Sequence, residues 1–324
     1  MYPMIFTPIA KQTIWGGNNL RREFNKPFKA DNIGESWELS CVKNNISIIA
    51  NGKFAGKPLD EILNNFGLEI LGKKVFKAAN GKFPLLFKFI DAQKDLSIQV
   101  HPNDALAKAR HDSFGKTEMW YVLSAQKGSK LYSGFKKKID EKTYKELVAN
   151  SKITDVLAQY EVKAGDSFFI DAGQVHAIGA GIVIAEIQQT SDITYRIFDY
   201  DRLDSNGKKR ELHTDLAALA INFNIKDNYK TEYTPKENEP VNIACCPYFT
   251  VNFISLKASK TLNRNLADQE SFVVYMCADG DIELSCGKYK QDLEKGATVL
   301  VPACLANDIN LSAKDDSAVL EVYV

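Results

Sequence analysis

The chain is patterned as short runs of β-branched and aromatic residues broken by glycine, aspartate and asparagine. The runs "FPLLFKFIDA" (83–92), "LSIQVH" (96–101), "EMWYVL" (118–123), "SFFID" (167–171), "GIVIAEIQQ" (181–189) and "TYRIFDY" (194–200) carry this signature, and each predicts a strand. Apolar positions at helical spacing are confined to shorter pieces: "PLDEILNNFGLEILG" (58–72), "NDALAKAR" (103–110), "DEKTYKELVAN" (140–150) and "ELHTDLAALAINF" (211–223). Helices therefore decorate a mainly β body. A polar, proline-bearing stretch, 224–242, separates that body from further strands beginning with "YFTVNFISL" (248–256). A boundary there gives a first domain over 1–225, with helical insertions near 58–72 and 140–159, and a second over 226–324. "GDSFFIDAGQVHAI" (165–178) aligns without gaps on "GATVLVPACLANDI" (296–309), so that His176 faces Asn307. Two all-β domains of one kind follow, the second degenerate in having lost the imidazole.

Side chains alternate between the faces of a strand, so Ser97, Gln99 and His101 share one side of "LSIQVH", with Ile98 and Val100 on the other. The same parity groups Lys116, Glu118 and Trp120 against Thr117, Met119 and Tyr121. Polar ladders inside a β barrel must be satisfied by a ligand, by an ion or by each other. Gln99, His101, Glu118 and His176 together offer an amide oxygen, a carboxylate and two imidazoles, a set that suits a borderline divalent cation such as zinc. His111 and His213 lie at helix ends, where a solvated ring is expected. Lys136, Lys137 and Lys138 read as a solvated turn. Glu186 and Arg196 enter apolar strands after His176, so they either pair with each other or serve a polar site. Lys88 poses a similar choice between surface and site.

Composition narrows the partners. The 41 Lys and Arg residues balance 41 Asp and Glu, which removes the basic field needed to capture nucleic acid or an anionic membrane without sequence specificity. Six cysteines show neither CxxC nor a disulfide spacing and read as reduced thiols. The first residues lack the basic and apolar stretches of a leader, and no run of about 18 apolar residues occurs. A soluble, cytoplasmic protein is expected, with monomer and homodimer both open.

The segments "IWGG" (14–17), "GESWELS" (34–40), "PLLFKFIDAQKDLSIQVHPND" (84–104), "GKTEMWYVL" (115–123), "AGQVHAI" (172–178) and "QQTSDITYRIFDYDR" (188–202) resemble the class I mannose-6-phosphate isomerases, in particular their shorter bacterial branch. The resemblance implies two cupin-type β-barrel (jelly-roll) domains and one Zn2+ per chain on Gln99, His101, Glu118 and His176. It implies reversible isomerisation of mannose 6-phosphate to fructose 6-phosphate, with Arg196 essential for catalysis. It also places Trp15, Glu35, Ser97, Lys116 and Glu186 around the sugar phosphate, with Lys88 nearby. The family pattern has a proline where Asp171 stands, and longer members carry a helical insertion where only 57 residues lie between Glu118 and His176 here.

An aldose–ketose exchange moves a proton between carbons 2 and 1 and must stabilise an enediolate. Arg196, permanently cationic, suits that charge or the phosphate. Candidates for the proton transfer are Glu186, Lys116 and a zinc-bound water. Glu186 is the first choice, because a carboxylate in an apolar hairpin is expected to have a raised pKa. Ser97, Lys88 and Lys116 are available to the phosphate. Two other readings compete: a cupin oxygenase holding ferrous iron on two histidines and a carboxylate, and a sugar-phosphate sensor without turnover.

Overall fold

The computed structural model describes residues 1–203 and 207–324. Strands dominate, as expected, and they form two pairs of facing sheets. In the first pair, a seven-stranded sheet runs Lys230–Thr231, Ser167–Ile170, Glu118–Ala125, Ile182–Gln189, Leu85–Ala92, Ile9–Gly17, Ile33–Leu39. Opposite it lie five strands in the order Leu157–Glu161, Lys130–Phe135, His176–Ile178, Ile98–Val100, Tyr195–Phe198. Ile90, Trp120, Val122, Ile182 and Ile184 from the first sheet meet Leu131 and Ile178 from the second in one apolar cluster.

The second pair repeats the plan. Seven strands run Pro240–Cys245, Thr250–Leu256, Ser317–Tyr323, Val273–Asp279, Thr298–Val301, Met4–Thr7, Ile48–Ile49, and four more run Thr261–Arg264, Ile309–Ala313, Ile282–Cys286, Tyr289–Leu293. Val273, Tyr275, Cys277, Leu284, Val299 and Leu311 fill the space between them. The strand Met4–Thr7 belongs to this sheet although it opens the chain: Met4 pairs with Leu300, and Phe6 with Ile49 on the other side.

The two seven-stranded sheets stand back to back. Phe87, Phe89, Met119, Tyr121, Val183 and Ala185 share a core with Val251, Phe253, Val274, Met276, Leu320 and Val322. The opposite parity of the same strands points inward, which is why every residue of Leu85–Ala92 and of Ile182–Gln189 is buried. Burying a large apolar side chain contributes about 1.5–3 kcal/mol, and a slip of one residue would exchange the faces of a whole strand. Phe87, Phe89, Ala185 and Ile187 thus lock the inward direction of Lys88 and Glu186.

Helices cover the edges. Leu59–Leu71 starts after Pro58, carries Asp60 and Glu61 in its first turn and stops at Gly72, whose φ of 83° suits glycine. A second helix, Lys73–Ala78, follows at once, beyond the helical pattern that ends at Gly72. Asn103 and Asp140 cap Asp104–His111 and Glu141–Ala149 by accepting backbone N–H groups of Leu106 and Thr143. The helix expected at 211–223 is confined to Thr214–Ala220. No helix among the described residues is long and apolar enough to cross a membrane.

Candidate active site

Three acceptor side chains converge between the first two sheets. Glu118 opens its strand opposite Ile170 and Gln188, His176 opens its own opposite Gln99, and His101 directly follows Ile98–Val100. All three are buried, and their ligand atoms lie within 4.8 Å of one another. His101 Nδ1 is 2.8 Å from the Ile193 carbonyl oxygen and His176 Nδ1 is 2.8 Å from that of Gln174. A ring N–H donated to a carbonyl fixes the tautomer and leaves Nε2 with a lone pair. His176 Nε2 then faces Glu118 Oε1 at 3.3 Å, and His101 Nε2 faces Oε2 at 3.5 Å.

Those atoms are all acceptors. Glu118 Oε1 is buried with no hydrogen-bond partner, and lone pairs aimed at each other without a proton call for a cation. Lys116 Nζ supplies part of that charge, donating to Glu118 Oε2 and lying 3.0 Å from His101 Nε2, yet it leaves Oε1 unsatisfied. The Gln99 amide sits 3.3 Å from His176 Nε2, and half a turn of it brings its oxygen to the same point. Burial first, and then the Lys116 charge, hold both imidazoles well below their ordinary pKa, so they are neutral and fit to ligate. Burial and then Glu186 push the Glu118 carboxyl up. The donor set fits a divalent ion.

A cavity of 370 Å³ adjoins the cluster, lined by Thr13, Trp15, Glu35, Trp37, Lys88, Gln99, Lys116, Glu186, Asp192, Thr194, Arg196 and Arg210 among others. Six of the residues expected around a sugar phosphate, Trp15, Glu35, Lys88, Lys116, Glu186 and Arg196, meet here. Ser97 is buried but is not among the lining residues. The glycine of "GESWELS" has a steric reason: a Cβ on Gly34 would come within 2.1 Å of Thr13 Oγ1 and 2.5 Å of the Trp15 ring. Only glycine lets Trp15 pack onto that strand as a wall of the cavity.

Two choices left open by the sequence are decided here, and two expectations need correction. Glu186 and Arg196 do not pair: Glu186 Oε1 takes Lys88 Nζ at 3.0 Å and Oε2 accepts from Trp120 Nε1 at 2.9 Å, while Arg196 donates to the Glu211 carbonyl at 2.9 Å. Burial alone would raise the Glu186 carboxyl, but the Lys116 and Lys88 charges outweigh it and hold the group below its usual range. The raised pKa expected from an apolar hairpin is therefore reversed. Of the two alternatives for Lys88, the site is the one realised: it lines the cavity, buried between Glu186 and Glu35 and 3.5 Å from the latter. Burial would lower its pKa, and Glu186 and Glu35 reverse that. His213 is not simply solvated either, because its Nδ1 accepts the Arg196 N–H at 3.1 Å. His111, exposed as expected, lies 2.8 Å from Tyr195 Oη.

Residues 4–129 match the family described as phosphomannose isomerase type I, catalytic domain. Over 301 residues the chain is 33% identical to mannose-6-phosphate isomerase of Streptococcus mutans serotype c, spanning 93% of this chain and 92% of that protein. Similarity to the mannose-6-phosphate isomerase ManA of Bacillus subtilis is equally broad, 33% over 304 residues and 93% of each chain.

The chain belongs to the type I phosphomannose isomerase family.

The crystal structure of a Bacillus subtilis mannose 6-phosphate isomerase superposes with a TM-score of 0.89 at 29% identity, over 100% of both chains. Asp171, in the turn before His176, forms a surface ion pair with Lys226 at 2.6 Å. Sequence reasoning missed Trp37, whose Nε1 donates to Glu35 at 2.6 Å and whose ring lies under Lys88 Nζ at 5.0 Å. Parity with Glu35 in "GESWEL" was the available signal. It also missed Arg210 and Asp199, which come together only through a loop.

Proposed function

We propose that this cavity interconverts mannose 6-phosphate and fructose 6-phosphate with one zinc ion held by Gln99, His101, Glu118 and His176. The observation that carries the reading is the buried, partnerless Glu118 Oε1 facing an unprotonated imidazole nitrogen beside a cavity lined with lysines and arginines. The relatives' names agree with the isomerisation. When bound, the ion supplies Lewis acidity to the oxygens on carbons 1 and 2 of the sugar.

The chain's own groups do the rest. Glu186, held ionised by two ammonium groups, is a weak base, so we assign it to fixing Lys88 and Lys116 rather than to carrying the proton. Lys116, hydrogen-bonded to Glu118 and His101 and 4.0 Å from Glu186, carries the proton: once it has given one proton to solvent, the neutral amine takes the hydrogen from carbon 2 and, as the ammonium, returns it to carbon 1. Arg196 stabilises negative charge that develops on the sugar. Trp15 and Trp37 wall the cavity and exclude water from the open-chain intermediate.

The same reading divides the chain into a catalytic cupin domain, 1–225, and a degenerate one, 226–324, with Met4–Thr7 and Ile48–Ile49 crossing into the second and Lys230–Thr231 into the first. The registers support it. Glu186 is flanked by Lys88 and Trp120, and Glu321 is flanked in the same way by Asn252 and Tyr275. Ile170 pairs with Glu118, whereas Val301 pairs with Val273, so the second half has an apolar residue where the first has its carboxylate ligand. A coupled assay on mannose 6-phosphate, with metal analysis of the same sample, tests the proposal. No conversion by zinc-loaded protein would refute the activity, and full activity after verified removal would refute the metal. Oxygen uptake by iron-loaded protein, or binding without turnover, would favour the oxygenase or sensor instead.

A further inference from the structure

The cations of the cavity fall into two unlike groups. Lys88 and Lys116 are matched by three buried or half-buried carboxylates, Glu35, Glu118 and Glu186. Asp192 also lines the cavity, and its charge is felt by Lys11. At the arginine end the balance reverses. Arg202 and Arg210 share one carboxylate, Asp199, as their only side-chain acceptor among the described residues, while the Arg196 side chain donates only to the Glu211 carbonyl oxygen and feels Asp199 through space. Glu211 is a further acidic neighbour of Arg196, but its side chain is 83% exposed, near His213, where water screens it. Arg196 Nε is buried with no partner at all.

The chain builds this end deliberately. Asp199 follows the strand Tyr195–Phe198, and Tyr200 and Asp201 both take φ of 55°, turning the backbone sharply. A bridge between Leu203 and Lys209 folds the loop back on itself. Arg210 returns to place Nε 2.7 Å from Asp199 Oδ2 and Nη2 2.5 Å from Oδ1. Asp199, 4% exposed, does not line the cavity, whereas Arg210 does. A guanidinium gripped on one edge by a buried carboxylate is fixed in plane, with its remaining N–H groups free for a second anion.

We propose that Arg210 holds the phosphate of the substrate, and that Asp199 is the positioning residue that fixes Arg210 for that task. This rests on the reading that a sugar phosphate occupies the cavity, and it moves the phosphate away from Lys88, Lys116 and Ser97. A dianion beside the arginines meets excess positive charge; beside the lysines it meets three carboxylates.

The test uses zinc-loaded full-length protein, with inorganic phosphate as the probe. Phosphate binding is read by calorimetry and by inhibition, and mannose 6-phosphate kinetics are read in parallel. Arg210→Gln should raise the phosphate Kd and the KM together by about ten- to a hundredfold, the loss expected for charge-assisted hydrogen bonds. The change should fall on KM far more than on kcat. Arg210→Lys should recover part of the loss as a point charge, and Asp199→Asn should weaken phosphate by about three- to tenfold through a loosened Arg210. Unchanged phosphate binding in Arg210→Gln protein with native zinc content and circular dichroism would overturn the proposal. So would a larger loss from Lys88→Met. Native protein that binds phosphate in this Arg210-dependent way but isomerises nothing would instead refute the function and leave the anion site standing.

Discussion

Replacing Glu118 by Gln keeps the shape of the side chain and removes the carboxylate from the ligand group. Metal binding to the folded chain alone stabilises it by RT ln(1 + [M]/Kd), about 2.7 kcal/mol at a hundredfold excess over Kd. Unfolding entropy of about 2.1 cal/mol/K per residue, over 324 residues, amounts to about 0.7 kcal/mol/K, so zinc should raise the Tm by about 4 °C. Losing even a residue that only orients a metal ligand weakens metal sites about ten- to a hundredfold. Losing the ligand charge should do at least as much, leaving at most about 0.4–1.4 kcal/mol and a shift of no more than about 1–2 °C at the same zinc concentration. The assay is thermal unfolding of native and Glu118→Gln protein, each with zinc and with chelator. The difference between the two conditions cancels whatever the substitution does to the fold itself. Equal zinc-induced shifts in the two proteins would show that Glu118 is not a ligand, and the converging acceptors would need another explanation.

In the second half of the chain, Glu321 is fully buried and accepts from Arg264 at 2.8 and 2.9 Å, from Tyr275 at 2.9 Å and from Asn252 at 2.9 Å. Glu321→Ala leaves the arginine uncompensated and should cost about 3–5 kcal/mol, read as a Tm about 4–7 °C lower; a drop below 1 °C would contradict the role given to this cluster. Gly34→Ala should displace Trp15 and cost about 1–3 kcal/mol from overpacking, with a raised KM for mannose 6-phosphate; native kinetics and stability would show that the Trp15 wall is soft. Burial would raise the Asp199 carboxyl, but hydrogen bonds from Arg210 and Arg202 outweigh it and lower its pKa. Its stabilising contribution is therefore complete above the unfolded value near pH 4 and lost as pH falls through the lower folded value. Urea unfolding from pH 6 to 3 should show that Asp199→Asn lacks this acid-side loss, and parallel curves would refute it.

What could be read along the chain was whatever period-two alternation controls. Lys116, Glu118 and Trp120 do share an inward face, because Met119 and Tyr121 are committed to the core on the other side. Gln99 and His176 are opposite one another in register, and the two imidazoles stand with ring centroids 4.8 Å apart. Charge state was not legible. The Glu186 carboxyl was read against its own strand, yet its pKa is set by Lys88 and Lys116 on the two neighbouring strands. The phosphate end escaped notice for a similar reason. "GKKRELH" reads as a solvated basic run, and nothing local distinguishes Arg210 from Lys208 or Lys209 until the loop brings it onto Asp199. The strands Met4–Thr7 and Ile9–Gly17 are short or mixed in polarity, so their pairing depends on distant partners rather than on pattern.

The pairing of Met4 with Leu300 also sets a timetable for biogenesis. At about 5–20 residues per second, a ribosome needs roughly 15–60 s to produce the partner of a strand it made at the outset. Throughout that interval the opening segment has only Ile48–Ile49 to pair with, and the outer face of the catalytic sheet waits for a layer not yet synthesised. Maturation of this enzyme is therefore a post-translational event, and a chain released early, short of its closing strands, would lose its beginning as surely as its end.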